Sequence, residues 1–298
     1  MKLLKSLKKL CFFFFVTIAI ISWCNNQKYY QIKSQIQQSN VLEINSKIRE
    51  QHTITVWIHG TRTISLSTLP LLKRFFKNYF GIDGLHPAQI YTEKNNMLSI
   101  AKTLHKTDPE SFPFEDIYIF GWSGVLSPQA RFEAAIQLYE ELLTLSRNYV
   151  EKYQIKPRIR LITHSHGGNV ALYLAQREKD QQENLVVDEF VILACPVQKE
   201  TSHLLKSEMF KSVYSFYSTF DFIQTLDPQG AYNAKKQWSQ NKKAHLNLQE
   251  PFFSERMFES QENLKQMLVK ENGRPILHSE FIHEQFVARI PGLLHELR

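Results

Sequence analysis

Short apolar runs alternate with longer amphipathic stretches along most of this chain. The runs at 53–58, 117–120, 159–162, 190–194 and 213–217 are rich in β-branched and aromatic residues and predict strands. Apolar residues at helical spacing predict helices over 66–79, 131–150 and 168–179. Apolar runs without alternation are typical of strands buried on both faces. The pattern therefore predicts an α/β fold, with a largely parallel sheet covered by helices on both faces.

The first 51 residues have a different composition. Four lysines (Lys2, Lys5, Lys8 and Lys9) precede an uncharged run at 10–24, the layout of a signal peptide or signal anchor. The run is short for a spanning helix, which needs about 20 apolar residues. Trp23 precedes Cys24, where a lipoprotein signal needs a small residue, so cleavage and lipidation both stay open. A buried apolar helix of the fold is the alternative.

These boundaries divide the chain into a signal segment at 1–24, a polar spacer at 25–51 and one domain at 52–298. If the basic end stays cytoplasmic, as charge bias favours, the domain lies on the far side of the membrane. We therefore expect an exported or membrane-anchored protein, associated with the membrane through its N-terminus.

Composition excludes several classes of function. With 43% hydrophobic and 22% charged residues in 298, the chain is neither disordered nor an integral membrane bundle. Four of its formal net charges of +7 come from the N-terminal lysines, and the remaining +3 is no electrostatic footprint for nucleic acid. Three cysteines exclude a disulfide framework. The chain has no P-loop and no G-x-G-x-x-G motif, so we expect no nucleotide cofactor.

The chemistry is concentrated where strands lead into helices. Residues 161–171 read LITHSHGGNVA, which places Ser165 between a buried strand and a helix. This segment resembles the nucleophile elbow of the α/β-hydrolase superfamily, G-x-S-x-G, with Thr163 in place of the first glycine and Gly167 as the second. Small flanking residues are required there because strand and helix approach closely at a strained turn. The resemblance implies a three-layer α/β-hydrolase fold of the lipase or esterase-like kind, with Ser165 as nucleophile.

An earlier strand ends in His59-Gly60-Thr61, about a hundred residues before the serine. In the superfamily this joint supplies one backbone N–H of the oxyanion hole. By resemblance, the donors here are an N–H near Thr61 and the N–H of His166, and Gly60 lets the chain turn toward the serine. His59 itself is interpreted as a structural residue.

A second serine competes for the nucleophile's role. Residues 120–124 read FGWSG, an incomplete esterase signature that lacks the residue between Ser123 and the second glycine. No helix starts on this serine. We interpret the segment as pocket wall, with Trp122 lining the site, and keep Ser123 as the alternative nucleophile.

A nucleophilic serine needs a base, and the base needs an orienting acid. The superfamily order Ser, Asp, His points to Asp221, which follows a predicted strand, and to His278, which precedes the final amphipathic stretch. Asp227, before a proline, is interpreted as a turn residue and ranks second as the acid. His283 is expected inside the last helix and is the weaker candidate for the base.

Other chemistries have less support. His164 and His166 flank the serine, but no acidic cluster with metal-ligand spacing accompanies them. Cys195 ends a buried strand and is interpreted as a small core residue. The sequence therefore predicts a serine hydrolase that cleaves a small-molecule or lipid ester through Ser165, His278 and Asp221. A non-catalytic, membrane-anchored binding protein on the same fold is the alternative. The stretch between Asp221 and His278 is expected to form a cap or surface helices.

Overall fold

A computed structural model of the protein describes residues 52–61, 81–225, 227 and 254–298. Seven strands form one sheet in the order β2-β3-β1-β4-β5-β6-β7, parallel throughout except that β2 runs antiparallel to β3. The strands are β1 (Thr53–Ile58), β2 (Gly84–Pro87), β3 (Ile117–Gly121), β4 (Arg158–His164), β5 (Glu189–Leu193), β6 (Val213–Tyr217) and β7 (Leu264–Leu268). A small antiparallel hairpin, β8 (Lys270–Glu271) and β9 (Arg274–Pro275), follows β7.

Helices connect these strands. The described helices are α1 (Asn96–Thr107), α2 (Pro128–Tyr153), α3 (Gly167–Gln181), α4 (Lys199–Ser202), α5 (Phe222–Thr225), α6 (Glu284–Val287) and α7 (Ile290–Leu297). The longest, α2, starts where the Ser127 side chain accepts a hydrogen bond from the Ala130 N–H and Pro128 occupies the first turn. It ends at Gln154, which adopts a left-handed conformation.

The sheet has a hydrophobic core on each face. In β1, the side chains of Ile54, Val56 and Ile58 pack with α2 and α3. Trp57 points to the other face and packs with α1, α6 and α7. Successive side chains of a strand point to opposite faces, so a strand covered on both sides is apolar throughout. The result is three layers, helix on sheet on helix, as predicted.

All five predicted strands are confirmed, and so are the helices predicted at 131–150 and 168–179, which α2 and α3 cover. The predicted helix at 66–79, the signal segment at 1–24 and the spacer at 25–51 lie outside the described residues. The sequence pattern does not predict α1, the strands β2 and β7 at the two edges of the sheet, or the short elements α4, α5, β8 and β9.

The stretch between Asp221 and His278 is described only in part. Its described residues contain the short helix α5, the strand β7 and the hairpin β8-β9, and the expected cap or surface helices stay a prediction for the remainder. The prediction for His283 is wrong, because this residue does not lie inside the last helix. It sits between a 3₁₀ segment, His278–Ile282, and α6.

Candidate active site

Ser165 occupies the tight turn between β4 and α3. Its φ of 54° is left-handed, a conformation that costs free energy for any residue except glycine. Two backbone hydrogen bonds hold the turn: the Ser165 N–H donates to the Leu193 carbonyl at 2.9 Å, and the Gly168 N–H donates to the Ser165 carbonyl at 3.0 Å. The strained backbone is therefore fixed from both the sheet and the helix.

Small residues around this turn are required by close packing. A Cβ added to Gly60 would lie 2.7 Å from the Ser165 Cβ, and one added to Gly167 would lie 2.6 Å from the Ile58 carbonyl oxygen. Thr163 takes the place of the first glycine of the motif, and it is accommodated because its hydroxyl donates to the Val191 carbonyl at 3.1 Å. The sheet thus absorbs the larger side chain by giving it a hydrogen bond.

A mostly parallel, helix-covered sheet whose central strand enters a helix through a strained serine is the arrangement of one fold. The chain has an α/β-hydrolase-like fold. Because β1, β3, β4, β6 and β7 all run parallel, the segments that follow them meet at the same edge of the sheet. Every predicted site residue follows one of these strands. The hydrolase-like fold therefore brings them to the same edge.

Comparison with solved structures finds low similarity over most of the chain. The protein is similar to an alpha-beta serine hydrolase homologue from Coxiella burnetii, at 16% identity over 83% of this chain and 85% of that chain, with a TM-score of 0.39. It is also similar to an esterase from Pyrobaculum calidifontis, at 13% identity over 83% and 76% of the two chains, with a TM-score of 0.40. An esterase from Pyrococcus furiosus matches at 12% identity over 83% and 81%, with a TM-score of 0.38.

No family model matches the chain, and no curated protein matches it. The fold assignment therefore rests on the strand order and on the turn at Ser165. The function has to be argued from the side chains at this edge of the sheet.

His278 and Asp221 form a hydrogen-bonded pair. The His278 Nδ1 lies 2.8 Å from Asp221 Oδ2 and 3.0 Å from Oδ1, so the ring donates from Nδ1 and leaves Nε2 as the acceptor. Asp221 is fully buried, and its Oδ1 also accepts from the Gln224 N–H at 2.9 Å. A carboxylate held in this way fixes both the tautomer and the orientation of the imidazole.

His164 links the backbone of His278 to the turn that contains Ser165. The Nε2 of His164 donates to the His278 carbonyl at 3.1 Å, and the two rings lie 4.8 Å apart, centroid to centroid. Within the described residues, no hydrogen bond joins Ser165 to His278. Hydrogen bonds between catalytic groups are often long in unliganded hydrolases, so the geometry leaves the pair as a candidate.

The loop that carries His278 is anchored by Glu280. Its carboxylate accepts from the Leu277 N–H at 2.6 Å and from two nitrogens of Arg274, at 2.6 and 3.0 Å. The hydrogen bond from Arg274 lowers the pKa of Glu280 to about 2. The hairpin β8-β9, which contains Arg274, therefore holds the start of the His278 segment.

The predicted oxyanion donors lie close to the serine. His166 directly follows Ser165, and neither its N–H nor that of Thr61 donates a backbone hydrogen bond within the described chain. The His166 N–H is also at the N-terminus of α3, where the helix dipole favours negative charge. Both N–H groups are therefore available to donate to a developing oxyanion.

Trp122 and His59 are joined by two hydrogen bonds. The Trp122 N–H donates to the His59 Nε2 at 3.2 Å, and the indole N–H donates to the His59 carbonyl at 2.8 Å. The ring of His59 donates from Nδ1 to the Gly60 carbonyl at 2.7 Å. These contacts give His59 a structural role at the joint that precedes Thr61, and they bury Trp122 beside the site.

The two alternative nucleophiles have unfavourable surroundings. Ser123 is exposed, lies two residues after the end of β3 and accepts only a long 3.4 Å bond from the Val125 N–H. Cys195 is buried, and burial raises the pKa of its thiol well above the usual range. A thiol in this state is a poor nucleophile.

Asp227, interpreted from the sequence as a turn residue, is buried and hydrogen-bonded in the fold. It is 3% exposed, its Oδ1 lies 3.4 Å from the Nε2 of His166, and its Oδ2 accepts from Gln198 Nε2 at 2.5 Å. Asp227, which ranked second as the acid, therefore pairs with His166, whereas Asp221 pairs with His278. A polar residue before a proline gives no sequence signal for burial, so this pairing could be found only in three dimensions.

The described residues contain neither a metal-binding cluster nor a membrane-spanning helix. Among the described segments, no group of three or more His, Cys, Asp or Glu side chains is arranged to hold a metal ion. In that same part of the chain, no helix has both the length and the apolar character needed to cross a bilayer.

Proposed function

We propose that this protein is a serine hydrolase that cleaves carboxylic esters. The observation that carries the proposal is the strained Ser165, held at φ 54° at the sheet edge where the His278–Asp221 pair also lies. Strain of this kind persists only where the surroundings fix it, and it is often found at active sites. Each of the three residues follows a different strand of the sheet.

The proposed reaction has two half-reactions. His278 Nε2 takes the hydroxyl proton of Ser165 while Oγ attacks the ester carbonyl, and Asp221 stabilises the imidazolium that forms. The tetrahedral intermediate collapses, the alcohol leaves with the proton from His278, and an acyl-enzyme remains. Water then attacks the acyl group with His278 as base, and Ser165 and the acid are released.

The negative charge of each intermediate falls on the former carbonyl oxygen. The N–H of His166 and the N–H of Thr61 are the proposed donors to this oxygen. Gly60 allows the second donor to approach, since any side chain there would collide with Ser165. Removal of one such donor typically costs 10²- to 10³-fold in rate in other hydrolases.

Exposed apolar side chains around the site favour an apolar ester. Large hydrophobic residues next to the site residues in sequence are between 48% and 63% exposed: Val125, Phe220, Phe222, Ile223 and Leu277. We call these five the apolar rim. Exposed apolar groups that gather around a site mark a surface for apolar ligands. The proposed substrate is therefore a small-molecule or lipid ester with an apolar acyl or alcohol part.

The decisive experiment is labelling with a fluorophosphonate probe, which reacts with activated serines. The wild-type protein should be labelled, Ser165→Ala should not, and Ser123→Ala should be labelled as the wild type is. Loss of labelling only in Ser123→Ala would overturn the assignment of the nucleophile. Hydrolysis of p-nitrophenyl butyrate by the same three proteins measures the activity directly.

A non-catalytic binding protein on the same fold is the second candidate. The observation that favours it is the lack of a Ser165–His278 hydrogen bond in the described chain. A wild-type protein that neither reacts with fluorophosphonates nor hydrolyses esters, yet is folded, would establish this candidate in place of the hydrolase.

The location is proposed from residues 1–24 alone. The lysines and the apolar run at 10–24 are proposed to direct the chain to a membrane and to leave the domain on the far side. Deletion of residues 1–24 should give a soluble and active domain, because no proposed site residue lies there. An equally soluble full-length protein with an intact N-terminus would remove this proposal.

A further inference from the structure

A second buried His–Asp pair includes His166, the residue that follows Ser165 in the chain. His166 is 4% exposed and Asp227 is 3% exposed, and His166 Nε2 lies 3.4 Å from Asp227 Oδ1. The other ring nitrogen, Nδ1, lies 3.3 Å from the side-chain nitrogen of Asn169, one turn along α3. Since an amide nitrogen can only donate, Nδ1 accepts and Nε2 carries the proton that faces Asp227.

The partners of His166 are themselves fixed. Asn169 Nδ2 donates to the Pro196 carbonyl at 3.0 Å, and its Oδ1 accepts from the Thr201 hydroxyl at 2.5 Å. Asp227 accepts from the Ser254 hydroxyl at 3.2 Å as well as from Gln198. The imidazole is therefore held on both sides, by Asn169 on α3 and by Asp227.

A buried arginine belongs to the same network as Asp227. Gln198 accepts from Nη2 of Arg131 at 2.8 Å and donates to Asp227, so it bridges a buried guanidinium and a buried carboxylate. Burial lowers the pKa of His166, although Asp227 opposes the effect, which keeps the imidazole neutral at pH 7.

We propose that the side chain of His166 is a positioning residue for the oxyanion site, anchored by Asp227. This inference rests on the proposed function, because it concerns the N–H that the same residue contributes. Among the described residues, the imidazole makes its hydrogen bonds to Asn169 and Asp227 and none to Ser165. Its two contacts fix the residue that carries the N–H and hold the far side of the strained turn at Ser165.

Geometry explains why such an anchor is useful. An oxyanion donor acts through its position, and a displacement of about 1 Å at a catalytic group can cost about 100-fold in rate. The His166 N–H is outside the regular hydrogen bonds of α3, so the helix does not fix it alone. An anchor on the side chain of the same residue restricts this movement.

The test uses three substitutions of His166 that separate its two contacts. Gln keeps an N–H that reaches toward Asp227, Asn keeps only an acceptor toward Asn169, and Leu keeps neither. We expect kcat for p-nitrophenyl butyrate to fall about 10- to 100-fold in His166→Leu and His166→Asn, with KM changed less than threefold. His166→Gln should stay within about fivefold of wild type.

A second measurement excludes a merely structural role. A boronic acid, which forms a tetrahedral adduct on an active-site serine, should lose affinity in proportion to kcat/KM across the three variants. The control is His203→Leu, at an exposed histidine outside the network, which should match wild type in both assays. If His166→Leu does not fold, the comparison of His166→Gln with His166→Asn still decides the matter.

The outcomes separate this inference from the proposed function. If the wild type is not labelled at Ser165 by fluorophosphonate, both fail. If it is labelled, and Gln and Asn variants are equally active or differ only in thermal stability, the positioning role is overturned while the hydrolase stands. A drop in kcat that Gln rescues and Asn does not, with parallel loss of boronate affinity, supports it.

Discussion

His164 donates from Nε2 to the carbonyl of His278 at 3.1 Å, which ties the residue before the candidate nucleophile to the backbone of the candidate base. Burial lowers the pKa of His164 to about 3, so this ring stays neutral at pH 7. A neutral neighbour does not oppose the positive charge that His278 acquires in the proposed reaction. The contact therefore positions the base without an electrostatic penalty.

The same histidine should make the fold sensitive to acid. The pKa of His164 is lower in the folded chain than the 6.5 of an unfolded chain, so the unfolded state binds more protons as the pH falls. The contribution of His164 to the free energy of unfolding is fully present above about pH 6.5 and should be lost as the pH falls toward 3. The loss should be up to about 1.4 kcal/mol per pH unit for this one proton.

His164→Gln keeps a donor for the His278 carbonyl but cannot titrate, so its stability should fall less steeply with acid. Urea unfolding between pH 7.5 and pH 4.5 measures the slopes. His203→Gln, at an exposed position, is the matched control and should retain the wild-type slope. Equal slopes in wild type and His164→Gln would contradict the prediction.

Asp221→Asn should nearly abolish hydrolysis. An amide in place of the buried carboxylate disfavours the His278 tautomer that donates from Nδ1, and it does not stabilise the imidazolium. In a well-studied triad this exchange costs about 10⁴-fold in kcat. We expect kcat with p-nitrophenyl butyrate to fall at least about 10³-fold. Asp188 directly precedes β5, at the amino ends of the parallel strands, so Asp188→Asn should stay near wild type. Comparable activity in the two variants would remove Asp221 from the triad.

Gly60→Ala should lower the proposed serine reactivity, because the new methyl group would lie 2.7 Å from the Ser165 Cβ and 3.1 Å from the His164 carbonyl oxygen. The turn at Ser165 would have to shift, so fluorophosphonate labelling should slow by at least about tenfold. Gly292→Ala, in α7, is the control, since nothing lies within 4 Å of its added Cβ. That variant should be fully active and about 0.5–1 kcal/mol more stable. Unchanged labelling of Gly60→Ala would show that the serine turn tolerates the methyl group.

The apolar rim predicts a preference for longer acyl chains. Phe222→Ser and Ile223→Ser should lower kcat/KM for p-nitrophenyl decanoate several-fold while the acetate ester is hydrolysed at the wild-type rate. Val150 is similarly exposed but lies on α2, away from the site, so Val150→Ser should change neither rate. If all three variants lose activity equally on both esters, the rim has no role in substrate choice.

The central part of the fold was predictable because its strands are buried on both faces. The segments at β1, β3, β4, β5 and β6 are short runs dominated by β-branched, aliphatic and aromatic residues, which are typical of buried strands. The edge strands gave no such signal. The sequence of β7 contains Lys265 and Gln266 and is only partly buried, and β2 is four residues long and ends in Pro87.

The candidate site divides in the same way. The resemblance to the superfamily and its order Ser, Asp, His point to Ser165, Asp221 and His278, and the structure brings Asp221 and His278 into contact. Their roles remain predictions. The partners of His166 were not foreseen, because Asn169, Gln198 and Asp227 are polar residues with no periodic pattern. Only the assembled fold reveals that they are buried together.

The position of β7 at the edge of the sheet has a consequence for folding. The His278 segment follows this strand, whereas Ser165 follows β4, three strands away in the sheet order. On the proposed mechanism, a chain in which β4, β5 and β6 have already paired still lacks the candidate base until β7 pairs with β6. Fluorophosphonate reactivity of Ser165 should therefore return during refolding only once β7 is in place.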